Sequence, residues 1–384
     1  MDRARGEITE ALTRTPDHPP ALLVLVCIAL EEGRPREAER ALNRLRSATP
    51  MRMEHVFLER LLAYRKREPS SDWSPSFLAA WGEAGRPDFE TQHLLADTPL
   101  EPDDAEVLRG LWRGASSVPA RWILTLASHP IDSEQAKWLI QQLPEVEDVA
   151  LFIAAFNVLA HEALPEELRA QASGEVRRRL SHLAGSHPRS MQLQLLSYLQ
   201  GSSEEALLNG EELSRLRVLS ELPLWRENSL AETFLSARDV LRRSGLANAG
   251  QHALAVASLS IADRGSYLLR KRAAVTRSGL APGARHPLGT ILSNVGAHMA
   301  ENSTLLERTL GLLMMQQGAE DAEDPVSMGK VAALLDEVYS VQAAWRRAAV
   351  EFWPLHSLRE EMLEASARDE NALVRTFMAQ PHVP

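Results

Sequence analysis

Apolar and polar residues alternate at helical spacing over almost the whole chain, and nowhere do they keep the two-residue alternation of a strand. Pro, Gly and Asn–Ser clusters cut this pattern at short intervals. It predicts an all-α protein of roughly fifteen to eighteen helices joined by short loops. Four residue pairs have capping-box spacing, in which a short side chain caps an amide and the residue three later reaches back. They are Asp132 with Gln135, Ser202 with Glu205, Ser229 with Glu232, and Ser357 with Glu360.

Three apolar patterns set requirements on the fold. Ala21 to Leu30 is apolar on every side, so it must be covered, by the rest of the chain or by a partner peptide or helix. Val149 to Ala160 has a single polar residue, Asn157, and reads as a central core helix. Both runs are shorter than the ~20 residues a membrane span needs. Val331, Leu334, Val338, Val341, Trp345, Ala348 and Phe352 alternate three and four residues apart, which is the seam of a helix seeking an apolar partner helix. That partner is a neighbour in the same chain or, alternatively, a second copy forming a homodimer through the 331–352 helix.

A longer period is also present. Ala4, Ile8, Ala11 and Pro16 match Ala38, Leu42, Leu45 and Pro50 at a shift of 34 residues, the size of a two-helix repeat. The first matched set has no first helix ahead of it. The second closes a hairpin with one helix from about Pro20 to Glu32, a break at Gly33, and another from about Arg36 to Ala48. In Gly33, Ala38, Leu42, Leu45 and Pro50 the hairpin resembles the tetratricopeptide-repeat (TPR) family. That resemblance implies an α-solenoid holding a peptide or helix on the concave face of its first helices, where Leu23, Cys27 and Leu30 would project. Gly85-Arg86-Pro87 and the span from Gly201 to Ala206 echo the turn more weakly. The expected organisation is TPR-like hairpins over 1–100, an irregular helical-repeat domain or bundle over 101–325, and a long helix with its cap over 326–384.

Composition narrows the function. A formal charge of −10 argues against a general polyanion binder. Only four of the 42 basic residues are lysines, so positive charge is carried by the planar guanidinium that suits carboxylates and phosphates. The one cysteine, Cys27, allows no internal disulfide and sits in an apolar run, as an inert buried thiol does. The opening residues MDRARGEITEALTRTP interleave acids and do not read as a signal peptide, so a cytoplasmic protein is expected.

No catalytic constellation emerges. His161-Glu162 begins like a zinc-hydrolase helix, but Pro165 stands where the second histidine belongs; His182 and His187 are five apart and share no helix face. Gly279 to Gly289 lacks the Lys-Ser or Lys-Thr ending of a phosphate loop. Asp103-Asp104 reads as the acidic first turn of a helix, the Glu320 to Asp324 run as a solvated connection, and Arg177-Arg178-Arg179 as an exposed helix. No cofactor, metal or catalytic residue is expected. Arg264, Arg270, Lys271, Arg272, Arg277 and Arg285 form a basic cluster against one acid, Asp263, with Tyr267 beside them. The expected function is a non-catalytic scaffold or adaptor that binds a peptide or helix of another protein, with apolar groove residues giving affinity and arginines selecting an acidic partner. The alternative is a nucleic-acid-binding or regulatory helical module using the cluster at 264–285.

Overall fold

The structure, a computed structural model, describes residues 2–95, 104–161 and 164–378. Among these it is all-α, with twenty helices and no strand. The chain divides into two compact units, Met1–Pro102 with Tyr339–Ser366 and Glu370–Pro384, and Asp103–Val338 with Ala367–Asp369. Of the segment expected as a third domain, 326–384, residues 339–366 and 370–384 group with the first unit.

The first unit begins with α1 (Asp2–Arg14), α2 (Pro19–Glu31), α3 (Pro35–Ala48), α4 (Met53–Arg67), α5 (Trp73–Glu83) and the single turn α6 (Phe89–Gln92). The second holds α7 (Ala105–Gly114), α8 (Val118–Ala127), α9 (Ser133–Gln142), α10 (Val149–His161), α11 (Glu166–Ser186), α12 (Met191–Leu199) and α13 (Gly210–Ser220). It continues with α14 (Leu230–Arg243), α15 (Ala249–Ile261), α16 (Arg264–Ser278), α17 (His286–Ala300) and α18 (Leu305–Asp321). Two helices remain, α19 (Pro325–Ala348) and α20 (His356–Arg375). Among the described residues no helix is long and apolar enough to cross a membrane.

The N-terminal hairpin forms for local reasons. Pro19 and Pro20 open α2, where their missing N–H groups cost nothing, and His18 Nδ1 accepts from the Ala21 amide. Gly33 then takes φ +64, the left-handed turn, which lets the Arg34 amide reach back to the Ala29 carbonyl at 2.8 Å. Ala38 is fully buried between the helices, and its small side chain lets α2 and α3 approach closely.

What covers α2 lies far along the chain. The first unit's core joins Leu22, Leu23, Val26, Cys27 and Leu30 to Trp353, Leu355, Leu358, Met362 and Phe377. Trp353 packs its ring against Phe57 (4.3 Å between centroids) and Phe89 (5.0 Å). Carboxylates tie α20 into the same unit at helix N-termini, where they meet free amides and the positive dipole end. Glu31 accepts from the Ser357 amide and hydroxyl at 2.9 and 2.6 Å. Glu361 accepts from the Trp73 and Ser74 amides, both at 2.9 Å, at the start of α5. Ser357 is thus no capping-box residue.

Of the other expected boxes, Asp132–Gln135 and Ser229–Glu232 form, opening α9 and α14. Ser202–Glu205 does not, because 201–209 carries no helix; the box that opens α13 is Asn209–Glu212. Of the 331–352 seam, Val331, Val338, Val341 and Ala348 are buried, Leu334 and Phe352 are half-buried, and Trp345 packs on the first unit's core with Ala344. Ala349 turns left-handed (φ 44), so α19 stops at Ala348 and Phe352 falls in a separate short turn.

In the second unit, α10 is the central core helix: Phe152 and Val158 are fully buried, and Asn157 donates to the Leu259 and Ala262 carbonyls at the end of α15. A second apolar cluster gathers Leu195, Leu199, Leu216, Leu268, Leu269, Ile291, Val295 and Met314 from α12, α13, α16, α17 and α18. A buried ion pair, Arg226 to Glu307 at 2.9 Å, fixes the start of α18, with Trp225 Nε1 and Thr304 Oγ1 also donating to that carboxylate. The α17–α18 pair is the tightest contact in the unit: Gly289 faces Gly318 and Gly296 faces Gly311, backbone on backbone.

Candidate binding site

The expected partner-binding residues separate sharply. Leu23 and Cys27 are fully buried and Leu30 is 4% exposed, all inside the first unit's own core, so they present no groove. The need for cover was real, but α20 and the turn before it meet it. Burial also pushes the Cys27 thiol up, far from thiolate chemistry.

The basic cluster at 264–285 splits by helical geometry. Arg272 lies on the inner face of α16 with Leu268, Leu269 and Thr276 and is 3% exposed. Its guanidinium donates to the Ala206 and Leu207 carbonyls (3.1 and 3.0 Å) and to Glu212 (2.7 Å), holding the helix-free 201–209 segment in place. Its guanidinium is therefore turned inward, away from the surface. Arg285 is spent on the Leu280 carbonyl, through Nε at 3.1 Å and an Nη at 2.9 Å, closing the turn around Pro282–Ala284. Arg264 stands 3.7 Å from Glu204.

The remaining three come together. Arg270, Lys271 and Arg277 line a cleft of about 290 Å³ with Tyr267, Leu292, Met314, Gln317 and Asp321, between α16 on one side and α17 and α18 on the other. Arg277 is committed to the far wall, 3.1 Å from Glu320 and 2.7 Å from Asp321. Burial raises the Asp321 carboxyl, and Arg277 opposes that shift. Arg270 and Lys271 are exposed and form no ion pair with any described residue; Lys271 lies 5.6 Å from the Tyr267 ring centroid. Tyr267 is 42% exposed and held by its hydroxyl, which donates to Glu204 at 3.1 Å. The cleft therefore has three cations against one carboxylate, two of them free, over an apolar floor.

Sequence reasoning missed the far wall. The Glu320 to Asp324 run is not a solvated connection: α18 extends to Asp321, which is 3% exposed, and Asp324 accepts from the Val326 and Ser327 amides to cap α19. The seven-residue spacing within two glycine pairs, Gly289 with Gly296 and Gly311 with Gly318, is the signal that would have placed α18 against α17. Of the other candidates, Asp104 accepts from Asn248 and meets His252 at 3.2 Å, and His187 meets Glu227 at 3.5 Å. Asp103 and the Glu162 of the zinc-like pair lie outside the described residues. Among the described residues no group of three His, Cys, Asp or Glu side chains is placed to hold a metal ion.

Asp263 anchors the α16 wall. Its carboxylate accepts from the Gly265 and Ser266 amides at 3.0 and 2.8 Å, and burial pushes it up to about 6 against those bonds. In the unfolded chain it would ionise near 4. Between those values the folded state holds a proton that the unfolded state has lost, so stability falls as pH rises through this window and levels off above about 6. Asp263→Asn keeps a capping oxygen. It is expected to remove that slope and to be more stable than the parent at pH 8 by at most about 3 kcal/mol. Denaturant titrations from pH 4 to 8 check this; an unchanged slope in the variant would exclude Asp263 as its source.

No protein-family model, no curated protein and no solved structure matches this chain.

Proposed function

We propose that this chain is a non-catalytic helical-repeat adaptor whose second unit captures an acidic segment of another protein in the α16–α18 cleft. One observation carries the reading: Arg270 and Lys271 stand exposed, with no ion pair to any described residue, in a cleft whose third cation, Arg277, is paired with Glu320 and Asp321. Desolvating a free cation against a ligand carboxylate gives selectivity, while Leu292, Met314 and the Tyr267 ring offer apolar contact. The one carboxylate lining the cleft is already held by Arg277, which favours binding over acid–base chemistry. The α2–α3 hairpin is TPR-like in its glycine turn and in Ala38, Leu42 and Leu45. Because its first helix is covered, we assign it to building the first unit rather than to docking.

Two free cations favour a peptide over a nucleic acid. A contact neutralising about two phosphates leaves a weak, salt-sensitive site on a chain of charge −10. The test is fluorescence anisotropy with a labelled Glu/Asp-rich peptide and with labelled single-stranded DNA, on the parent and on Arg270→Glu/Lys271→Glu. The reading expects peptide binding that weakens with salt and falls at least tenfold in the variant. Binding of DNA alone, or peptide binding that the double reversal leaves unchanged, would overturn it.

A further inference from the structure

The run Arg177-Arg178-Arg179 resolves into three different side-chain fates. Successive helical residues point about 100° apart, so the three guanidiniums separate. Arg179 is buried and donates to the Val146 carbonyl at 2.7 Å while meeting Glu147 at 2.7 Å. Arg178 pairs with Glu175 at 2.9 Å. Arg177 has no ion pair among the described residues and enters a cleft of about 280 Å³ between α10, α11 and the Gln200-Gly201 turn.

The construction of this cleft specifies an occupant. One stripe of α11, at spacings of three and four, supplies Arg169, Ala172, Ser173, Val176 and Arg177. Guanidinium-bearing residues thus bracket a small and apolar middle, and their backbones lie ~12 Å apart along the helix; Arg169 gives one Nη to the Leu164 carbonyl at 2.9 Å and keeps its other N–H groups. Phe156 of α10 adds to the apolar wall, and Arg264, itself 3.7 Å from Glu204, stands at the start of α16. Among the described residues no acidic side chain lines the cleft. The space, about nine water volumes, is large enough for a six-carbon chain with a carboxylate at each end.

We propose that the α10–α11 cleft binds a short aliphatic dicarboxylate, its carboxylates held by Arg169 and Arg177 and its methylene chain lying on Val176, Ala172 and Phe156. Guanidinium forks meet carboxylates in two parallel hydrogen bonds, so two anionic ends at fixed spacing are read together. The site is separate from the α16–α18 cleft and does not depend on the function proposed for it.

Isothermal titration calorimetry at low ionic strength with adipate, hexanoate and inorganic phosphate tests the assignment on the full chain. The expected result is saturable one-to-one adipate binding, with hexanoate and phosphate at least tenfold weaker. Arg177→Ala and Arg169→Ala, both at exposed positions, should each weaken adipate at least tenfold. Ala172→Leu, which fills the middle of the cleft, should weaken it without changing any charge. Circular dichroism on each variant confirms that the fold is retained. The proposal is overturned by absence of saturable adipate binding, by hexanoate or phosphate binding as tightly as adipate, or by adipate affinity unmoved in folded Arg169→Ala and Arg177→Ala proteins.

Discussion

Acidification from pH 7 to about pH 4.5 is expected to cost the first unit about 2–3 kcal/mol of stability through His93 alone. The imidazole is buried in an aromatic setting, edge-on to Trp353 with ring centroids 4.4 Å apart and 6.0 Å from Phe89. Its Nδ1 accepts from the Leu95 amide at 3.1 Å, which needs the neutral ring, and its Nε2 has no hydrogen-bond partner. Burial pushes it down to about 3, and the Arg52 charge adds to that. The unfolded chain takes up this proton near pH 6.5, while the folded state refuses it down to about pH 3. Stability is therefore full above pH 6.5 and declines steadily as pH falls from there towards 3. His55, fully buried and also pushed down by burial, acts in the same direction. A loss of this size is a large share of what holds a domain folded. Pulsed hydrogen exchange across a denaturant series, read on peptides from 53–95 and 349–377, isolates the first unit. His93→Gln keeps an acceptor for the Leu95 amide but cannot titrate, so its pH dependence should be clearly shallower. An identical slope in parent and variant would remove His93 from the account.

The second large effect lies where α17 meets α18. A Cβ added to Gly296 would sit 2.5 Å from the Gly311 carbonyl oxygen and 2.9 Å from the Met315 amide; one added to Gly289 would sit 2.6 Å from the Gly318 carbonyl. These obstacles are backbone, which cannot swing aside as a side-chain tip can. Replacing glycine by alanine inside a helix normally gains about 1 kcal/mol, and overpacking normally costs about 1–3 kcal/mol. Against rigid carbonyls the cost wins, so Gly296→Ala should destabilise, and Gly296→Leu should fail to form the native pair. Gly174, mid-way along α11, has nothing within 4 Å of an added Cβ. Gly174→Ala is expected to raise the thermal midpoint while Gly296→Ala lowers it, and equal shifts would contradict the packing described. Separating the two helices would also move Leu292 away from Met314, Gln317 and Asp321, so Gly296→Ala should weaken occupancy of the α16–α18 cleft.

Local chemistry was legible and distant partnership was not. Prolines, Gly33 and apolar spacing place α2 and α3 within a residue of their observed bounds, Pro19–Glu31 and Pro35–Ala48. That Ala21 to Leu30 needs cover follows from its lack of a polar face. That residues beyond 348 provide it follows from no local pattern, because Ser357 and Glu31 are 326 positions apart. The same limit governs the basic cluster. Charge counting gathers six cations, but only three-dimensional neighbours decide which are spent: carbonyls from 206–207 bury Arg272, Leu280 takes Arg285, and Glu320 with Asp321 takes Arg277. Arg270 and Lys271 remain available because Asp321, the carboxylate lining their cleft, is paired with Arg277.

The account turns on where an acidic peptide lands. Hydrogen exchange of the full chain with and without a saturating Glu/Asp-rich peptide answers this without mutation. Protection should appear in α16 at 267–277 and in α18 at 314–321, with α2 unchanged. Protection of α2, or none along α16 at saturation, would contradict it.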